Sequence, residues 1–304
     1  MRDWEGVLKM KEIVFKGSGV AIVTPYDENE INYDALKKLI DFQIENGTDA
    51  IIIAGTTGES ATMTDEEHQE IIRFTVEYVN QRVPVIAGTG SNDTAYAVTL
   101  SKHAEEVGAD ALLIVTPYYN KGSQKGLIRH YTQIADAVNI PIILYNVPSR
   151  TGVSIKPETY LELSKHPRIV ATKEASGDTN LMLKTQNLCK DHLHFYSGND
   201  DQITAALGLG SLGVISVLAN VVPKHTHDIC QNFFDGKIKE SIDLQIQLTD
   251  LIEAMFCEVN PIPVKTALGL MGFEVGHLRM PLCEMEDQNL EVLKNTLKKY
   301  HLIE

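Results

Sequence analysis

Lys173 stands in the stretch Ile169-Val170-Ala171-Thr172-Lys173-Glu174-Ala175-Ser176-Gly177-Asp178. The three residues that open it are small, apolar and β-prone, so they read as a buried strand. Ala175 to Asp178 read as the turn after it, with Ser176 or Asp178 able to cap a following helix. A lysine at the end of an interior strand is costly to bury. It either snorkels to the rim or pairs with a carboxylate, or it serves as a Schiff-base nucleophile. Burial favours the neutral amine, whose lone pair attacks a carbonyl. Three neighbours favour the nucleophile. Tyr145 ends the preceding apolar run and supplies a phenol that can move protons. The turn around Thr56 and Thr57 offers hydroxyls and backbone N–H groups to a carboxylate, and Arg150 offers a bidentate fork to a second one. This set suits a keto acid and a second acidic substrate.

A closed scaffold must bring such distant residues together. The chain has 304 residues, 43% hydrophobic and 22% charged, a globular composition with enough length for a sizeable core. Apolar runs recur at Val20–Val23, Ala50–Ile53, Val83–Ile86, Ala111–Val115, Pro141–Tyr145, Ile169–Thr172, Leu193–Tyr196 and Gly213–Ser216. Between them, Tyr33 to Glu45, Asp65 to Asn80 and Asp93 to Val107 carry apolar residues at helical spacing. Runs that are apolar throughout suit parallel strands buried on both faces. The predicted fold is α/β, a (β/α)8 TIM barrel, with an open doubly wound sheet as the alternative. Beyond Val222, Lys237 to Val259, Pro261 to Met271 and Asp287 to Tyr300 read as a C-terminal helical extension. The expected organisation is an N-terminal extension over 1–14, a catalytic barrel over 15–235 and the helical region over 236–304.

In a barrel the reactive groups lie at the C-terminal ends of the strands. Those ends here carry Gly55-Thr56-Thr57-Gly58-Glu59-Ser60, Gly88-Thr89-Gly90-Ser91-Asn92, Thr116-Pro117-Tyr118-Tyr119-Asn120, Tyr145 to Gly152, Lys173 and Ser197-Gly198-Asn199-Asp200. No histidine or carboxylate cluster has the spacing of a metal site, and none is expected. His225 and His227, two apart, read as surface or helix-end residues. Gly208-Leu209-Gly210-Ser211-Leu212-Gly213 matches G-x-G-x-x-G but precedes a strand, and is discounted as helix-ending and turn glycines.

A net charge of -14 argues against nucleic acid or an anionic membrane as the main partner. No apolar run approaches the roughly 20 residues of a membrane span. Met1 to Lys16 lacks a signal-peptide core, and Met10 is an alternative start that would leave Met1 to Lys9 as an unstructured extension. Cys189, Cys230, Cys257 and Cys283 form no close pair and are expected to be reduced in the cytoplasm.

From about Phe15 to the C-terminus the chain resembles the dihydrodipicolinate synthase family of the pyruvate-dependent class I aldolases, which also include N-acetylneuraminate lyase. The motifs G-T-T-G-E-S, V-T-P-Y-Y-N-K, Y-N-V-P-S-R-T-G and K-E-A-S-G-D carry the resemblance. It implies a (β/α)8 barrel with a C-terminal helical region, usually assembled as a dimer of dimers. Lys173 is then the residue that forms the imine with pyruvate. Thr56 and Thr57 hold the pyruvate carboxylate, and Thr57 links Tyr145 to Tyr119 of the neighbouring subunit. Arg150 binds the carboxylate of aspartate semialdehyde, while Gly198 and Ile215 line the pyruvate pocket. The implied product is 4-hydroxy-tetrahydrodipicolinate, on the route to diaminopimelate and lysine, made without metal or organic cofactor.

Two other readings compete. A sialic-acid lyase or sugar-acid aldolase would share Lys173 and Tyr145 but is expected to lack Arg150. A barrel repurposed as a small-molecule sensor is expected to lack a catalytic residue, and none is missing. Family members inhibited by lysine bind it near the positions of Ser60, Ala61, Asp65, His68, Asn92, Tyr96 and Tyr118. Here Tyr96 replaces the usual glutamate and Asp65 a common histidine. A neutral phenol cannot neutralise an ammonium, so little or no inhibition by L-lysine is expected.

Overall fold

The computed structural model describes residues 11–28 and 30–304, so the Met10 start and the Met1–Lys9 extension lie outside the described residues. Lys11, assigned to the N-terminal extension, is buried and donates from Nζ to the His166 carbonyl at 2.6 Å.

Among the described residues, eight parallel strands close into a barrel: Gly17–Ala21, Ala50–Ile53, Val85–Gly88, Ala111–Val115, Ile142–Asn146, Ile169–Glu174, His194–Ser197 and Gly213–Ser216. Each pairs with the next and the last with the first, which excludes the open sheet. The first strand starts three residues before the Val20–Val23 run. Its opening residues are Gly17, Ser18 and Gly19, which carry no apolar signal yet permit closure. Gly17 pairs with Gly213, where a Cβ would stand 1.8 Å from the Gly17 carbonyl oxygen at a backbone φ of +151°. Only glycine closes the barrel that tightly. The third and fifth strands start after Pro84 and Pro141, which lack the N–H a ladder needs.

Side chains alternate between two cores, as strand geometry requires. Phe15, Ile52, Ile86, Leu113, Ile143, Tyr145, Ala171, Tyr196 and Ile215 form an inner cluster. The larger cluster, with Ile51, Ile53, Leu112, Ile114, Leu144 and Val214, packs with the helices outside. The helices begin where the sequence supplies caps. Asn32 accepts from the Ala35 N–H, and Thr64 and Glu67 form a capping box. Asp178 accepts from the Asn180 and Leu181 N–H groups, at the turn behind Lys173.

The stretch expected as one helix from Lys237 to Val259 is two, Ile238–Gln247 and Thr249–Met255, separated at the buried Leu248. Leu248 leaves helical geometry with ψ near 2°, and the chain leaves the second helix at Phe256. Ile262–Leu270 and Asp287–Lys299 follow as helices. A small hairpin, Tyr26–Asp27 with Glu30–Ile31, was not anticipated. Gly208 ends a helix and Gly213 opens the last strand, as expected of turn glycines. His227 is not a plain surface residue, because Nδ1 meets Asp49 Oδ2 at 3.0 Å and both side chains are three-quarters covered. No helix among the described residues is long and apolar enough to cross a membrane.

Candidate active site

Ile143 and Ala171 belong to the inner cluster, so Tyr145 and Lys173, two residues further along their strands, point the same way, into the barrel near its C-terminal rim. Tyr145 pairs with Lys173 in register, and Lys173 with Tyr196 on the next strand. Lys173 is 5% exposed, with Nζ 4.5 Å from the centroid of the Tyr145 ring. Tyr145 lines the open cleft, whereas Lys173 is not among its lining residues.

Gly198 makes room for this lysine. A Cβ there would stand 3.0 Å from Lys173 Cε and 2.6 Å from the Ala175 Cβ. Ile215 is fully buried in the inner cluster. Two carboxylates that the sequence did not single out bracket the site. Asp200 is buried and accepts from the backbone N–H groups of Val217 and Leu218 at 3.0 and 2.9 Å. Burial holds its carboxyl above the ordinary range, while hydrogen bonds and the charge of Lys173 pull the other way. Glu174 points outward and accepts from Asn146 Nδ2 at 3.0 Å, the Tyr160 hydroxyl at 2.9 Å and the Ser176 N–H at 2.9 Å. Burial raises its pKa as well. Because Asn146 follows Tyr145 and Glu174 follows Lys173, this bond ties the two strand ends together.

Above the lysine opens a cleft of about 970 Å³, lined by Thr56, Ser60, Ala61, His68, Tyr96, Tyr118, Tyr119, Tyr145, Arg150 and Asn260, among others. Thr57, Lys173, Gly198, Ile215, Asp65 and Asn92 are not among its lining residues. The turn that presents Thr56 and Thr57 is locked from below. Glu59, in the left-handed region at φ 58°, pairs with Lys265 at 2.7 Å, both side chains 1% exposed. Glu59 Oε2 also accepts from the Arg279 N–H at 3.0 Å. Burial lowers the Lys265 pKa, with Glu59 opposing the shift. Asn260 Nδ2 donates to Thr57 Oγ1 at 3.0 Å, and Arg150 Nη2 donates to the Asn260 carbonyl at 3.1 Å. Sequence reasoning passed over Glu59, Lys265 and Asn260. A lysine inside the apolar helix Ile262–Leu270 was the available signal, of the same kind as Lys173.

The far end of the cleft gathers most of the residues of the expected effector region. Tyr96 donates its hydroxyl to Asp65 Oδ1, which raises the Tyr96 pKa to about 12 and keeps the phenol protonated. His68 Nε2 lies 2.9 Å from the Gly88 carbonyl, and the Asn92 carbonyl accepts from Asn120 Nδ2 at 3.2 Å. Tyr119 stands apart from the packed residues, 89% exposed at a backbone φ of 68°.

Comparison with known proteins accords with this geometry. Residues 14–300 match the model of the dihydrodipicolinate synthetase family. The 4-hydroxy-tetrahydrodipicolinate synthase of Thermoanaerobacter sp. is 57% identical over 291 residues, covering 95% of this chain and 98% of the relative. The crystal structure of dihydrodipicolinate synthase from Thermotoga maritima superposes with a TM-score of 0.93 at 41% identity, covering 96% of this chain and 100% of that one. A solved monomeric dihydrodipicolinate synthase variant gives the same TM-score at 41% identity, over 95% of this chain and 98% of the other. The chain belongs to the dihydrodipicolinate synthetase family.

Proposed function

We propose that the chain condenses pyruvate with L-aspartate 4-semialdehyde to 4-hydroxy-tetrahydrodipicolinate, and that Lys173 carries the imine. The observation that carries this reading is the buried Lys173 amine set against the Tyr145 ring at the rim of the barrel. The Lys173 lone pair attacks the pyruvate carbonyl carbon and water leaves. Loss of a methyl proton, with Tyr145 as relay, turns the iminium into an enamine. The enamine carbon attacks the aldehyde carbon, whose oxygen takes up a proton. The substrate's own amine then attacks the imine carbon and displaces Lys173, which leaves with its nitrogen protonated. The iminium is the electron sink, so this scheme calls for no metal or organic cofactor.

In this scheme Thr56 and Thr57 hold the pyruvate carboxylate, Arg150 binds that of the semialdehyde, and Gly198 and Ile215 shape the pyruvate pocket. Tyr119 completes the site of a neighbouring subunit. Its exposure supports that role, because a tyrosine bared this far leaves most of its apolar ring in water unless a second chain covers it. The working assembly is a homotetramer, a dimer of dimers, in the cytoplasm. Arg150 over the cleft favours a short carboxylated aldehyde over a sugar, and the sensor reading finds no missing catalytic group. Borohydride reduction with pyruvate should fix one pyruvyl group per chain on Lys173, located by peptide mass mapping. A label on another lysine, or trapping by Lys173→Arg, would overturn the assignment. A coupled assay with pyruvate and aspartate semialdehyde, beside pyruvate and N-acetylmannosamine, separates synthase from lyase.

A further inference from the structure

Arg150 stands on a short helix, Pro148–Thr151, at the edge of the cleft. Its side chain is exposed, so its direction depends on how firmly the backbone beneath it is held. One buried hydroxyl holds that backbone. Thr151 Oγ1 donates to the Val153 carbonyl at 3.0 Å, with the Val147 carbonyl at 3.3 Å beside it. The same oxygen accepts from the Val153 N–H at 3.3 Å and from Thr116 Oγ1 at 3.0 Å. Thr116 follows the strand Ala111–Val115 and is fully buried, and Thr151 is 4% exposed, so bulk water does not replace the bond between them. Thr116 is itself fixed to the barrel, because its N–H donates to the Tyr145 carbonyl at 3.0 Å. The loop that starts at Thr116 also covers the end of the Arg150 helix. A Cβ on Gly152 would stand 2.7 Å from Lys121 Cε.

We propose that Thr116 is a positioning residue that sets the aim of Arg150 and, through it, the selection of the second substrate. A hydroxyl carries one proton and two lone pairs. Thr151 uses all three, its proton on a flanking carbonyl and its lone pairs on the Val153 N–H and the Thr116 hydroxyl. The bonds to Val147 and Val153 run within the segment 147–153. The bond from Thr116 joins that segment to the barrel wall. Without it a buried lone pair loses its partner and the helix is free to tilt. A tilt is magnified along the arginine side chain, and a bidentate fork tolerates little misdirection. The Thr116 hydroxyl bonds to Thr151 rather than to Lys173 or Tyr145, so imine formation should be indifferent to it. The inference rests on the reading of Arg150 as the group that binds the carboxylate of the semialdehyde.

Thr116→Val removes the hydroxyl at nearly the same shape and keeps the backbone bond to Tyr145. It should lower kcat/KM for aspartate semialdehyde by about 10- to 100-fold, the order that a displacement of about 1 Å costs. The kcat/KM for pyruvate, and the rate of borohydride trapping with pyruvate alone, should stay within about twofold. Thr116→Ser restores the donor and should recover most of the loss. In an Arg150→Met background Thr116→Val should cost less than about twofold more, because residues that act through one contact are not additive. Thr151→Val removes the acceptor and should show the same split between the two substrates, so either variant decides the matter once a melting curve shows it folded. An unimpaired Thr116→Val, an equal loss in pyruvate trapping, no recovery by serine, or losses that add in the double variant, beside an impaired Arg150→Met, refutes the proposal alone. An Arg150→Met protein with unchanged kcat/KM for the semialdehyde refutes the reading of Arg150 and the proposal with it.

Discussion

Gly198→Ala tests the lysine pocket with one methyl group. The added Cβ would lie 2.6 Å from the Ala175 Cβ and 3.0 and 3.1 Å from Lys173 Cε and Cγ. Carbon atoms pack at about 3.5–4.0 Å, so the Ala175 contact is short by about 1 Å and the lysine contacts by about 0.5 Å or more. Ala175 has no flexible arm to swing aside, and Lys173 is 5% exposed in a filled barrel. The strain must therefore displace the lysine, the strand end, or both. Overpacking of this kind costs about 1–3 kcal/mol, which lowers the melting temperature by roughly 2–12 °C in a chain of this size. A displacement of about 1 Å at a reacting atom costs about 100-fold in rate. Steady-state kcat, the rate of borohydride trapping with pyruvate and a melting curve should show a folded protein with both rates depressed. An alanine variant that traps pyruvate and turns over at the wild-type rate would refute the claim that Gly198 is required by the lysine's position.

Lys265→Met leaves Glu59 buried without its partner and should destabilise the fold by about 3–5 kcal/mol, with most of the loss recovered in Lys265→Met/Glu59→Leu; an unchanged melting temperature in the single variant would show that Arg279 suffices. Mixing inactive Tyr119→Phe with inactive Lys173→Ala under subunit exchange should restore activity in hybrids, and no recovery after proven exchange counts against sharing of Tyr119 between subunits. L-lysine should inhibit little or not at all, because the Asp65 carboxylate already accepts from Tyr96. Partial inhibition removed by mutating His68 or Asn92 would show a working effector site. The Asp49 hydrogen bond raises the His227 pKa in the folded chain. The bond should therefore contribute about 0.5–1 kcal/mol below about pH 6.5, and this is lost as pH rises through the raised value. Melting curves at pH 6 and 8 should differ more for the wild type than for His227→Gln, and equal differences would exclude the pair as the source.

The sequence by itself determined the periodic features. Ala50–Ile53, Ala111–Val115 and Gly213–Ser216 were legible to the residue, because strands buried on both faces must be apolar throughout. Lys173 was legible as an exception within such a run, and Tyr145, Thr56 and Arg150 as chemistry at the ends of others. The first strand was displaced in the reading, because Gly17, Ser18 and Gly19 close the barrel by being small rather than by being apolar. The helix break at Leu248 left no mark, since a buried leucine suits both the helix and the turn. Only the tertiary structure could bring Asn260 to Thr57, 203 residues away, and Lys265 to Glu59, 206 residues away. A hydrogen bond between side chains distant in sequence has no period and no local propensity. It depends on where two segments meet after the barrel has closed and the C-terminal helices have packed against it.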